Sequence, residues 1–147
     1  MDIYIKSTFL FDKVKSTIDE CFSAINEYSY TFKQEYFFTF SDTDQKLKIY
    51  TDEYRKFRSV LLDRFNFLGD CAAQISSLLL DADRLGDLEN IQRLKAVFES
   101  YLLLEKSFYE YSKAVEVALS KDAPSISVIM QNLSRLKLSF ESLYEML

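Results

Sequence analysis

Apolar residues in this chain recur in alternating steps of three and four over four long stretches. Phe11, Val14, Ile18, Cys21, Ile25, Tyr28 and Phe32 form the first run. Leu94, Val97, Tyr101, Leu104, Phe108, Tyr111, Val115 and Ala118 form the third, and Ile126, Ile129, Leu133, Leu136, Phe140, Leu143 and Leu147 the fourth. A mean step of about 3.5 residues lays one apolar stripe along a helix and gives the seam of a left-handed bundle. The second run is Leu47, Tyr50, Tyr54, Phe57, Leu61, Phe65, Leu68, Ala72, Ile75, Leu79 and Ala82. It holds one extra step of four, from Phe57 through Leu61 to Phe65, a stutter that relaxes the supercoil locally. Gly69 follows it and weakens a helix by about 1 kcal/mol relative to Ala.

Three breaks separate the runs: Ser41-Asp42-Thr43-Asp44, Gly86, and Asp122-Ala123-Pro124-Ser125. Pro124 suits a first helical turn. The helical segments are therefore predicted at 7–40, 43–85, 87–121 and 124–147. Short connections make successive helices antiparallel, so the expected fold is all-α, an up-down-up-down four-helix bundle forming one domain over 1–147. Two rivals remain: a second helix broken near Gly69, and an elongated coiled coil that completes its core only as a dimer.

Residues 28–40 fit this scheme least. They hold seven aromatic residues, and Tyr28, Tyr30, Phe32, Tyr36, Phe38 and Phe40 alternate as in a strand pair around Lys33-Gln34-Glu35. That turn lacks Gly, Asn and Asp, and the seam runs through to Phe32. The expectation is helix, irregular beyond Glu35.

Composition limits the chemistry. The chain has no His, which excludes imidazole-based triads and the Glu-x-x-His sites of di-iron bundles and leaves haem without its usual ligand. Two Gly leave no Gly-rich phosphate loop. Cys21 and Cys71 stand about nine residues out of register in the antiparallel pair, too far for a disulfide, and read as buried free thiols of a reducing compartment. Segment 81–92 places Asp81, Asp83, Gly86, Asp87 and Glu89 as a calcium loop would, but Leu85 and Gln92 replace two ligands. It reads better as a helix end and a new start. Glu99, Glu105, Glu110 and Glu116 lie mostly off the seam, as a solvent face does. No cofactor and no metal is expected.

The net charge is −5, spread along the chain, which disfavours nucleic acid and anionic membranes. Arg55, Lys56, Arg58 and Arg64 form the densest basic group, but Asp52, Glu53 and Asp63 interleave it. No apolar run is long enough to cross a membrane, and the first residues lack the pattern of a signal peptide. A cytoplasmic protein is expected.

What remains is surplus apolar surface. Phe9, Phe22, Phe37, Leu62, Leu103, Val117, Val128, Leu138 and Tyr144 fall outside the seams. The fourth segment presents Ser127, Gln131, Ser134, Ser139 and Ser142 away from its seam, with few charges. Near Gly86 the short fourth helix cannot reach, so the first residues either fold over that end or leave a groove among Ile3, Ile5, Phe9, Leu85, Leu88 and Ile91. The expected function is a non-catalytic adaptor, chaperone or assembly subunit that binds a protein or a second copy through aromatic helix surfaces. On a helical projection Tyr30, Phe37 and Phe38 point away from the seam, and with Phe40 they are the candidate binding residues. The alternative is an acidic inhibitor that blocks a nucleic-acid-binding enzyme.

Overall fold

The computed structural model describes the backbone of residues 2–38, 43–120 and 126–147, and the side chains of these outside 31–47 and 126. Every element among them is an α-helix: α1 (Ile3–Phe38), α2 (Thr43–Leu85), α3 (Leu88–Leu119) and α4 (Ile126–Met146). None is long and apolar enough to cross a membrane, among the described residues.

The boundaries differ from the sequence pattern by a few residues. α1 begins at Ile3 rather than residue 7, because Asp2 accepts a side-chain hydrogen bond from the Tyr4 N–H and so caps the extra turn. It stays helical past Glu35, to Phe38. α2 crosses Gly69 without a break. The Tyr101 hydroxyl stands 3.3 Å from where a Cβ would be, so a side chain at this position would press on it.

The α2–α3 junction explains itself. Gly86 has φ +65°, the left-handed conformation that glycine adopts most cheaply. Its N–H donates to the Asp83 carbonyl, and the Asp87 N–H donates to that of Ala82. These two bonds close the last turn of α2 in a Schellman motif. Asp87 then caps α3, its carboxylate accepting from the Asn90 N–H and side-chain amide. The acidic residues that imitate a calcium loop are engaged in ending one helix and starting another.

The apolar repeat is the core. Of its described members only Leu79, Tyr101 and Leu147 are half-buried, and every other one is buried. Leu78 takes the buried place beside Leu79. α1 packs on α2, α2 on α3, α3 on α4 and α4 on α1, while the backbones of α2 and α4 stay apart and the two helices meet through side chains, Phe65 against Phe140. Aromatic rings dominate one part of this core. Phe65 stacks on Phe108 at 4.3 Å and meets Phe140 edge-on, and Phe22 packs on Phe140 and Tyr144. Toward Gly86 the buried apolar residues are aliphatic apart from Phe11, among them Leu10, Ile75, Leu78, Ala82, Leu94 and Val97. There α3 reaches α1 directly. The Arg93 guanidinium lies over the rings of Tyr4 and Phe11, at 4.5 and 4.4 Å, and donates to the hydroxyls of Ser7 and Thr8.

Candidate protein-binding surface

In α1 two residues decide which rings face in and which face out. Tyr28 is buried and stacks on Phe57 at 4.4 Å, with the ring planes 4° apart. Tyr30 lies 200° further round the helix and is 60% exposed. The seam therefore rotates Tyr30 to the outside, as the helical projection requires. Phe37 and Phe38 belong to α1, but their side chains lie outside the described residues, and so does the whole of Phe40.

Beneath Tyr30 the core is phenolic. Tyr28, Tyr54 and Tyr111 are all buried around Phe57, and the Tyr54 hydroxyl donates to the Ser112 carbonyl. Burial pushes all three phenols above their ordinary range, because a phenolate there would lose its hydration. Burial keeps these hydroxyls neutral, and that of Tyr54 is hydrogen-bonded.

Other candidate chemistry resolves into structure. Cys21 and Cys71 are free and buried, and desolvation raises the Cys21 thiol to about 12 and also raises Cys71. Such thiols are poor nucleophiles. In the basic group, Lys56 pairs with Glu53, Arg58 with Glu116, and Arg64 with Glu20. Glu99, Glu105, Glu110 and Glu116 are exposed, and Glu105 accepts from the Tyr101 hydroxyl. On α4 the small polar residues bond locally: Ser142 donates to the Leu138 carbonyl, and Ser139 donates to the Ser107 hydroxyl of α3.

The off-seam apolar residues divide into two groups. Phe22 and Tyr144 are half-buried and pack on each other at 6.1 Å, so they widen the buried stripe between α1 and α4. Phe9, Leu103, Val117 and Leu138 are more than half exposed, and Leu62 and Val128 are exposed to a lesser degree. The structure adds Val60, Phe67, Leu80, Leu102 and Tyr109, which the seam count alone did not single out. A helical projection of α2 and α3 places them off the core face, so the signal was available.

Comparison with protein families, curated proteins and solved structures gives no match for this chain.

Proposed function

We propose that this chain is a non-catalytic interaction protein, an adaptor, chaperone or assembly subunit. It would dock a protein partner or a second copy through the aromatic end of α1. The observation that carries this reading is Tyr30: a large ring, 60% exposed, two residues from a fully packed Tyr28 on an unbroken helix. The core has no need of that ring, and aromatic residues are the commonest anchors of interfaces. Phe37, Phe38 and Phe40 continue the same segment and complete the proposed site.

The scaffold we infer is an up-down-up-down bundle with heptad seams. It is supported by the pairings between helices: Tyr28 with Phe57 and Glu20 with Arg64 on α1 and α2, Phe65 with Phe108 and Arg58 with Glu116 on α2 and α3. In each case the partner's number falls as the other rises. Two buried free thiols support a reducing, cytoplasmic setting.

The test is Tyr30→Ala with Phe37→Ala, read by melting temperature and by association. The expected result is an unchanged fold, within about 0.5 kcal/mol, and at least a tenfold loss of partner or self-association. Collapse of the fold would make these rings core, and full retention of association would move the site elsewhere. Salt sensitivity separates the inhibitor alternative: binding by charge mimicry weakens steeply with salt, and apolar docking does not.

A further inference from the structure

The outer groove between α1 and α2 is lined by exposed apolar residues on a face that does not include Tyr30. Three hollows follow one another along it. The first, about 210 Å³, lies beside Val60 and is floored by Ala24, Tyr28 and Phe57. The next, about 340 Å³, lies beside Phe67 and is walled by Ser16 and Thr17. The last, about 360 Å³, lies beside Phe9 and is backed by Leu10 and Leu78. Lys13 lines both of the last two, so they are continuous.

The apolar posts along this groove are exposed: Val60 by 47%, Phe67 by 42% and Phe9 by 60%. Val60 and Phe67 stand one heptad apart on α2, about 10 Å along the axis, which is the advance of two turns of a helix. Hollows alternating with posts at that interval match the knobs of an amphipathic helix.

Charge decides what kind of helix. The carboxylates on the rim are engaged: Glu20 by Arg64, Glu53 by Lys56 and Asp81 by Arg84, and Glu27 also has a partner. Lys6 and Lys13 face the last two hollows with no carboxylate at ion-pair distance among the described residues. At the Lys6–Lys13 end the hollows are lined by Lys6, Lys13 and Arg64 against Glu20 and Asp81, a positive excess in a chain whose net charge is −5. A second copy seated groove to groove would bring these lysines against the same lysines if parallel, and against Glu53, already engaged by Lys56, if antiparallel.

We propose that the α1/α2 groove binds an amphipathic helix of another protein, with apolar residues in heptad register and acidic residues flanking them at the Lys6–Lys13 end. This rests on the reading of the chain as a protein-binding module, but it uses a different surface from Tyr30.

The probe is a synthetic 28-residue helix with Leu at its a and d positions, made in Glu-flanked, Lys-flanked and sequence-scrambled forms. Fluorescence anisotropy on the full chain should show the Glu-flanked form binding at least tenfold more tightly than the other two. Val60→Asp with Phe67→Asp should abolish that preference, and Lys13→Glu should shift it toward the Lys-flanked form. Chemical-shift changes on the unaltered protein should concentrate on α1 and α2 along the groove, a readout that holds even where a variant folds poorly. Equal binding of all three peptides, or shifts elsewhere, overturns the proposal. So does self-association of the protein that Phe67→Asp abolishes, which would make the occupant a second copy. Peptide binding lost in Tyr30→Ala but kept in the groove variants would overturn this surface and leave the aromatic end standing.

Discussion

The two ends of the molecule solve the same packing problem with different side chains. At the aromatic end four helices enclose the core, and rings fill it: Phe22, Phe65, Phe108 and Phe140 meet in one cluster, Tyr28, Phe57 and Tyr111 in the next. At the Gly86 end α4 is missing. With 21 residues it spans about 31 Å against about 64 Å for the 43 residues of α2. Its Phe140 and Tyr144 reach α1 at Phe22, whereas α3 reaches α1 directly through Arg93 and Ser7. There α1, α2 and α3 enclose the core, and its buried apolar residues are aliphatic apart from Phe11, among them Leu10, Ile75, Leu78, Ala82, Leu94 and Val97. The Arg93 guanidinium covers the Phe11 ring. The lesson is that a core closed by four helices takes stacked rings, whereas the three-helix end is filled by aliphatic side chains and one ring covered by a cation.

Alkaline pH should separate the two ends most strongly. Tyr28, Tyr54 and Tyr111 are raised by burial at the aromatic end and the Cys21 thiol is raised to about 12, whereas toward Gly86 only Cys71 and Tyr101 are raised among the described residues. In the unfolded chain these groups release protons near their ordinary values, 9.0 for the thiol and 10.0 for the phenols. Above that point the unfolded state binds fewer protons than the native one, so stability falls as pH rises and is intact below it. Denaturant titrations at a series of pH values should show a decline that begins near pH 9 and steepens beyond 10. The ring NMR signals of Tyr28, Tyr54 and Tyr111 should report ionisation only together with unfolding. Ionisation of these three while the helical signal persists would show that the aromatic core admits water.

A cavity at the aromatic end is the next largest effect. Phe140→Ala removes a side chain with no exposure that touches Phe22 and Phe65, and should cost about 3–5 kcal/mol in equilibrium unfolding. A loss under about 1 kcal/mol would mean that α4 does not close this end.

Enlargement should hurt at the Gly86 end. Ala82 has no exposure, and Ala82→Leu should cost about 1–3 kcal/mol because three close-packed helices have no room for three more carbons. Tolerance of leucine there would mean that this end is not closely packed.

The smallest effect concerns the cover. Arg93→Ala uncovers Tyr4 and Phe11 and removes the donors to Ser7 and Thr8, for a loss of about 1 kcal/mol. Amide exchange should quicken in the first turns of α1 and leave the aromatic end unchanged.

Which residues are buried was legible in the pattern itself. Ile18, Leu61, Leu104 and Phe140 sit on the seam and have no exposure. A stripe of apolar side chains on a helix must be covered, whatever covers it. The end of α2 was equally local: Gly86 and Asp87 supply a left-handed turn and a cap that depend only on neighbouring backbone. Tyr30 was also readable as outward, because its angle to Tyr28 follows from helical geometry alone.

Other features depended on residues far apart in sequence. Gly69 stays within a continuous helix because Leu68, Cys71 and Ala72 beside it are buried against the other helices. Phe22 and Tyr144 are half-buried against each other, although the spacing in either helix leaves them off the seam. Arg93 reads as an ordinary surface cation until Tyr4, Ser7, Thr8 and Phe11 are brought to it from 82 to 89 positions away. The apolar stripe determines that each helix buries one face. Which helix covers that face, and where the cover stops, is decided by the lengths of the helices and the side chains that meet across them.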